Sequence, residues 1–185
     1  MRVLGISGSL RRDSHNRRLL LEAAELLPIG VELELYDELK ALPPYDEDDD
    51  GEEAHPAVER LRDAVARADA ILIATPEYNA SIPGQLKHAV DWASRPRGAA
   101  AIANKPVAVI GTGTGSFGGV RAQEELRKVL RTAGARVVDG QLAVPRAHVR
   151  LDEDGRLLDD ELRERAQVLV DALLAEIRPA WVVAA

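Results

Sequence analysis

The chain has 185 residues, of which 46% are apolar, 30% are charged and only 3% are aromatic. This length predicts a single domain over residues 1–185, with a core of aliphatic side chains and alanine rather than aromatic rings. The formal net charge of −7 argues against nucleic acid as a partner, because a phosphate backbone requires a basic protein face.

The sequence contains no cysteine, which excludes disulfides, thiol catalysis and cysteine-bound metal centres. The four histidines are far apart in sequence, and we expect no metal site. Residues 46–51 match the first half of a calcium-binding EF-hand loop, but the twelfth position holds Ala57 instead of glutamate, so a solvated acidic loop is expected. No apolar run reaches the roughly 20 residues of a membrane span and the first residues lack a signal-peptide pattern, which favours a cytoplasmic protein without a membrane partner.

Short apolar strands alternate along the chain with amphipathic helices. Strands are predicted at residues 2–7, 31–36, 70–75, 106–112 and, interrupted at Gly140, at 135–138 with 141–144. Helices are predicted at residues 16–27, 56–68, 84–94, 119–132 and 160–177, and an irregular acidic connection at 37–56. The apolar–polar alternation of residues 31–36 places that strand near a sheet edge. Five β–α units in strict alternation imply a parallel sheet covered by helices on both faces.

Three loops follow the carboxyl ends of predicted strands, at residues 7–16, 75–83 and 111–119. Ligands of open parallel sheets lie at this edge, where the strand order reverses. The three loops are therefore the candidate ligand site.

The first loop reads SGSLRRDSHN at residues 7–16 and leads into a helix N-terminus. Serine hydroxyls, an asparagine side chain, backbone N–H groups and Arg11 can all donate hydrogen bonds there, which favours an anion. The loop is neither a Walker A motif nor a tight G-x-G-x-x-G turn. Its width fits a terminal phosphomonoester, such as that of FMN, better than a bridging pyrophosphate. The alternative is that Ser14 is only a helix cap and the rest a solvated turn.

The second loop reads TPEYNASIPG at residues 75–84. Two prolines stiffen it, and Tyr78 and Asn79 lie between them, which suits the edge and face of a planar heteroaromatic ring. The alternative is a rigid surface turn with Tyr78 packed on the core.

The third loop reads GTGTGSFGG at residues 111–119, and its five glycines allow a close approach of the backbone to a ligand. Residues 113–118 match G-x-G-x-x-G, but they follow the fourth strand rather than the first, so the match does not indicate an NAD fingerprint.

Three segments of the sequence resemble the NADPH-dependent FMN reductase family, which includes quinone, chromate and azo-dye reductases. They read GSLRRDSHN at residues 8–16, PEYNASIPGQLKHAVDW at 76–92 and GTGTGSFGGVRAQEELRKVL at 111–130. The resemblance extends from residue 1 to about residue 145, with the segments in the family's order and spacing.

The resemblance implies a flavodoxin-like three-layer α/β fold, with a five-stranded parallel sheet in the order 2-1-3-4-5 and helices on both faces. It implies noncovalent FMN, NADPH or NADH as the hydride donor, a small-molecule electron acceptor, and a homodimer or a dimer of dimers. The flavin carries the chemistry in this family, so no catalytic side chain is expected.

The resemblance also implies which residues contact FMN. Those around the phosphate are Ser9, Leu10, Arg11, Ser14, His15 and Asn16. Those lining the isoalloxazine ring are Pro76, Glu77, Tyr78 and Asn79, with Thr112, Gly113, Thr114 and Ser116 on the opposite edge. This chain departs from the family at residues 113–115, where small polar residues are usual, and at Phe117, which adds bulk beside the flavin.

Two expectations concern the wider function. The first is an interface between copies of the chain at residues 81–97 and 118–131. Residues 81–97 hold more apolar and basic side chains than one buried helix face needs: Ile82, Leu86, His88, Trp92, Arg95 and Arg97. The second is reductase activity towards quinones, azo compounds, chromate or free flavin, the alternative being a flavodoxin-type electron carrier that serves protein partners.

Overall fold

The computed structural model describes residues 1–51 and 54–177, and in them a parallel sheet of six strands. The strands are β1 (Arg2–Ser7), β2 (Glu32–Leu35), β3 (Ala70–Ala74), β4 (Pro106–Thr112), β5 (Arg136–Val137) and β6 (Leu142–Val144). Their order is β2-β1-β3-β4-β5, and β6 also pairs with β4. The predicted order is confirmed, and the fifth position of the sheet is divided between two short strands on either side of Gly140, as the sequence predicted.

The described residues also form six helices and one 3₁₀ turn, and the last two helices follow the last strand. The helices are α1 (His15–Glu25), α2 (Pro56–Arg67), α3 (Gly84–Ala93), α4 (Val120–Thr132), α5 (Ala147–Arg150) and α6 (Asp160–Ala175). The five predicted helices are confirmed with ends shifted by at most two residues, whereas α5 and the 3₁₀ turn Leu39–Ala41 were not predicted. Within the described residues no helix is both long and apolar enough to cross a membrane.

The two faces of the sheet carry separate apolar cores. Successive residues of a strand point to opposite faces, so Ile71 and Ile73 of β3 pack under α2, α3 and α4. Leu72, between them, packs under α1 and α6. All residues of β3 and β4 are buried, whereas β2 at the sheet edge alternates between exposed and half-buried residues. The prediction of helices on both faces is confirmed.

The acidic connection before α2 packs along one side of α3. Gln85 donates from Nε2 to the carbonyls of Leu39 and Leu42, both at 2.8 Å. Further along the helix, His88 Nδ1 accepts the backbone N–H of Tyr45 at 3.0 Å. These contacts attach the connection to the helix that follows the second candidate loop.

The same packing corrects the argument from surplus side chains at residues 81–97. Trp92 is fully buried and donates from Nε1 to the Pro43 carbonyl at 3.0 Å. Arg95 donates from Nε to the Tyr45 hydroxyl at 3.0 Å, and Ile82 and Leu86 are buried in the core. Partners within the same chain therefore account for most of this set, and it gives no evidence of an intermolecular surface.

Candidate functional site

The three candidate loops enclose one open pocket of about 270 Å³ at the carboxyl edge of the sheet. This volume lies just below the usual range of small-molecule sites, about 300–1,000 Å³. Its lining residues are Ser9, Arg11, Ser14, His15, Asn16, Pro76, Glu77, Tyr78, Thr112, Gly113, Thr114, Gly115, Ser116, Phe117, Gly118 and Gly119.

Twelve of the fourteen residues named from the sequence line this pocket, and two do not. Leu10 is 47% exposed and is not a lining residue. Asn79 is an exposed turn residue with a φ of 52°. Four lining residues were not among the named contacts: Gly115, Phe117, Gly118 and Gly119. The glycine-rich composition of residues 111–119 was the signal that could have included them.

The first loop begins with a close approach to the neighbouring strand. The Gly8 N–H donates to the Ala74 carbonyl at 2.8 Å. A Cβ at Gly8 would lie 2.8 Å from Leu86 Cδ2 and 3.3 Å from Pro76 Cδ, so a larger residue would require Leu86 or the first loop to shift. The glycine therefore allows the first loop to pack closely against α3 and the start of the second loop.

Ser14 is both a helix cap and a pocket residue. Its backbone is extended, and its Oγ accepts the Arg17 N–H at 3.2 Å, which is the usual N-cap contact. Its Oγ also lies 3.5 Å from Ser7 Oγ, and the residue is only 2% exposed. The cap places the N-terminus of α1 at the pocket, so the two readings of Ser14 are compatible.

The N-terminal end of α1 is the most cationic part of the pocket. Arg11 and His15 line it, and burial followed by the positive charges of Arg18, Arg11 and His148 lowers the pKa of His15. The Nδ1 atom of His15 is buried without a hydrogen-bond partner among the described residues. A helix N-terminus adds partial positive charge. This end of the pocket therefore favours an anion, although the chain as a whole is acidic.

Asn16 does not act as the free donor expected from the sequence. Its Nδ2 donates to the Thr112 carbonyl at 3.1 Å, and its Oδ1 accepts the Thr112 N–H at 3.0 Å. Asn16 is 3% exposed, and the Thr112 hydroxyl donates to the Val144 carbonyl at 2.8 Å. Both residues line the pocket, but their polar groups hold the start of α1 against the end of β4. Their part in the site is thus positional.

The second loop is a tight turn beneath an exposed aromatic ring. Tyr78 and Ser81 exchange both backbone hydrogen bonds, each at 3.0 Å. The residues between them, Asn79 and Ala80, have φ values of 52° and 62°, as in a type I′ turn. Tyr78 is 46% exposed, so it does not pack on the core, and the alternative proposed for it is wrong.

Glu77 joins the second loop to the third. Its Oε2 accepts the backbone N–H of Arg121 at 3.1 Å, in the first turn of α4. A carboxylate at a helix N-terminus is favourable because it satisfies an unpaired N–H and opposes the helix dipole. Glu77 therefore fixes the N-terminus of α4 beside the pocket.

The glycine-rich loop is hydrogen-bonded to the protein through its carbonyls, and some of its backbone N–H groups are available to a ligand. The carbonyls of Gly113 and Gly115 accept the N–H groups of Ala147 and Arg146, at 3.0 and 2.9 Å. In the described part of the chain, no protein acceptor is found for the backbone N–H groups of residues 114–117. This edge of the pocket can therefore hydrogen-bond to acceptor atoms of a ligand.

Comparison with known proteins agrees with this geometry. The profile of the NADPH-dependent FMN reductase family matches residues 1–149, which include all three loops. This chain belongs to the NADPH-dependent FMN reductase family. The resemblance inferred from the sequence is confirmed.

Relatives within the family extend the match to nearly the whole chain. An NAD(P)H-dependent FMN reductase of Pseudomonas aeruginosa is 44% identical over 96% of this chain and 96% of its own length. A 2-hydroxy-1,4-benzoquinone reductase of a Burkholderia species is 36% identical over 96% of this chain and 97% of its own. The structure of FerB, a flavoenzyme NAD(P)H:(acceptor) oxidoreductase of Paracoccus denitrificans, superposes with a TM-score of 0.86 at 35% identity, covering 95% of this chain and 96% of FerB.

Proposed function

We propose that this chain is an FMN-dependent NAD(P)H oxidoreductase that reduces small molecules such as quinones, azo compounds, chromate or free flavin. The observation that carries the proposal is one pocket with a cationic end and an edge of free N–H groups, in a member of a flavin reductase family. Both parts match the chemistry of FMN, which has a phosphate at one end and hydrogen-bond acceptors along its ring system.

The phosphate of FMN is held at the N-terminus of α1. Arg11 supplies a charge-assisted donor, and Ser9 and Ser14 supply hydroxyls. The unpartnered Nδ1 of His15 is a further hydrogen-bonding atom that a phosphate would satisfy. Leu10 lies between Ser9 and Arg11 in the chain but does not itself line the pocket.

The ring system is held between the second and third loops. Pro76, Glu77 and Tyr78 line one side, and the turn at Asn79 supports Tyr78. Thr112, Gly113, Thr114 and Ser116 line the other side. The free N–H groups of residues 114–117 can stabilise negative charge that develops on the ring edge during reduction.

The side chains of the pocket bind and orient FMN and the substrates, and none is required as an acid or a base. Bound FMN supplies the redox chemistry, in which NAD(P)H gives up a hydride and a quinone acceptor then gains two electrons and two protons, one of them from water. Glu77 is engaged by α4, and the hydroxyl of Thr112 is engaged by Val144. The open mouth of the pocket allows the donor to leave before the acceptor enters.

The direct test is cofactor release followed by turnover. The purified protein should be yellow and release FMN, and it should oxidise NADH or NADPH with a panel of quinones. Release of FAD, or no affinity for FMN at micromolar concentration, would overturn the phosphate assignment. Bound FMN without NAD(P)H-dependent turnover would instead support the electron carrier.

We also propose that the protein is a homo-oligomer, a dimer or a dimer of dimers, with residues 81–97 and 118–131 at the interface. An open groove of about 730 Å³ between the end of α3 and α4, lined partly by Val90, Val129 and Ala133, supports this surface. Val129→Glu should lower the sedimentation coefficient, whereas a wild-type protein that sediments as a monomer with full turnover would contradict the proposal. A cytoplasmic location stays a prediction, which cell fractionation tests.

A further inference from the structure

Arg121 places a second positive charge beside the pocket, away from the N-terminus of α1. It is an exposed residue in the first turn of α4, and its guanidinium carbon lies 5.6 Å from the centre of the Phe117 ring. Phe117 lines the pocket and is itself 65% exposed. The contact is a cation–π pair that keeps the guanidinium over an aromatic ring at the mouth of the site.

The guanidinium of Arg121 has no carboxylate partner in the part of the chain that the structure describes. No carboxylate of the described residues forms an ion pair with its guanidinium, whereas Arg127 and Arg131 on the same helix both face Asp139, at 3.7 and 3.6 Å. An external anion would supply the missing partner.

Two pocket residues hold this charge near the pocket. The Arg121 backbone N–H donates to Glu77 Oε2 at 3.1 Å, which ties the start of α4 to the second loop. The guanidinium is thus held near the mouth by one pocket residue on its backbone and by another, Phe117, beneath its side chain.

FMN leaves this second charge unused. It carries a single phosphate, and the donors that suit a phosphate are at the N-terminus of α1. The nicotinamide donors carry a pyrophosphate, and NADPH a further 2′-phosphate, at the far end from the ring that must reach the flavin. We propose that Arg121 binds a phosphate group of the nicotinamide donor at the mouth of the pocket. This proposal rests on the proposed function.

The test compares Arg121→Gln with Arg131→Gln, a matched loss of charge from the same helix. Reduction of the bound flavin is followed by its absorbance, with NADPH, NADH and the phosphate-free donor N-benzyl-dihydronicotinamide. We expect Arg121→Gln to raise the apparent Kd of NADPH by about three- to tenfold, with the limiting reduction rate unchanged. The increase should shrink at high ionic strength. Arg131→Gln should behave as wild type.

The arms of the experiment identify the phosphate group. An increase for NADPH alone assigns the 2′-phosphate, and an equal increase for NADH assigns the pyrophosphate; both support the proposal. No increase with either nucleotide overturns it, as does an equal loss with N-benzyl-dihydronicotinamide, which would mean that Arg121 is structural. If the wild-type flavin is not reduced by any donor, the proposed function itself fails, which is a separate result.

Discussion

Asn16 and Thr112, 96 residues apart in the chain, are joined by two hydrogen bonds between the Asn16 carboxamide and the Thr112 backbone. Asn16 belongs to the first turn of α1, where the phosphate would bind, and Thr112 ends β4, where the glycine-rich loop begins. The two ends of the proposed FMN site are therefore held at a fixed separation by one buried side chain. A ligand that spans both ends needs both loops in position, and this contact sets the position of each.

Asn16→Ala should weaken the binding of both FMN and riboflavin. The substitution leaves the Thr112 N–H and carbonyl without partners, at a cost of about 1–3 kcal/mol per buried group. Because the lost contact positions both loops, a loss is expected with riboflavin as well as with FMN. Fluorescence titration of the apoprotein with both flavins measures the two Kd values. A loss confined to FMN would show instead that the Asn16 side chain binds the phosphate.

Arg11→Ala should weaken FMN binding and leave riboflavin binding nearly unchanged. Arg11 lines the phosphate end of the pocket, and a hydrogen bond to a charged group contributes about 1.5–3 kcal/mol. The expected loss in FMN affinity is therefore roughly ten- to hundredfold. The same titration with both flavins tests it, and Arg12→Ala, one exposed residue further along the loop, is the matched control. Equal losses for both flavins would mean that Arg11 is structural.

His15 should make the stability of the FMN-free protein depend on pH. Burial and the charges of Arg18, Arg11 and His148 lower the pKa of His15 in the folded state. As the pH falls below about 6.5, the unfolded chain takes up this proton first, so the free energy of unfolding decreases until the folded-state pKa is passed. Above that window His15 is neutral in both the folded and the unfolded state, and its full contribution to the free energy of unfolding is present.

Urea unfolding of the apoprotein and of His15→Asn, between pH 5 and 7.5, measures this effect. The stability of the wild type relative to the variant should fall as the pH is lowered through the window. With FMN bound, the decrease should vanish or reverse, because a phosphate dianion favours the charged imidazolium. Parallel curves for the two apoproteins would contradict the assigned cause.

Sequence patterns predicted most of the fold because they record local burial. The bounds of β1 and β4 are those predicted from the sequence, and β2 lies at the sheet edge that its alternation indicated. The four-residue helix α5 was missed because it is too short to show a helical period. Most of the residues named from the sequence line one pocket, because the topology brings loops after β1, β3 and β4 to one edge.

The errors concern contacts between distant parts of the chain. The side chain of Asn16 matched a phosphate donor by type, but its partner is 96 residues away. Trp92 and His88 looked surplus to one helix face, because no local pattern shows that Pro43 and Tyr45 bind them. A residue's chemistry is readable from the sequence, whereas its partner is a property of the packed structure.

The turn beneath Tyr78 holds a residue in a conformation that its type disfavours. Ala80 has a φ of 62°, and a side chain with a Cβ in this left-handed region costs roughly 1–2 kcal/mol relative to the right-handed helix. Asn79, with a φ of 52°, tolerates the region better because asparagine is commonly found there. The strain is held by the two backbone hydrogen bonds between Tyr78 and Ser81.

Ala80→Gly should therefore leave stability unchanged or raise the free energy of unfolding by up to about 1 kcal/mol. Relief of the left-handed strain exceeds or balances the extra entropy of glycine in the unfolded chain, about 0.4–1 kcal/mol. Ala66→Gly, at an exposed position of α2, supplies the control, since glycine in a helix should destabilise by about 0.5–1 kcal/mol. Urea unfolding of both variants measures the difference. If both substitutions destabilise equally, Ala80 carries no strain and the turn does not have the left-handed geometry described.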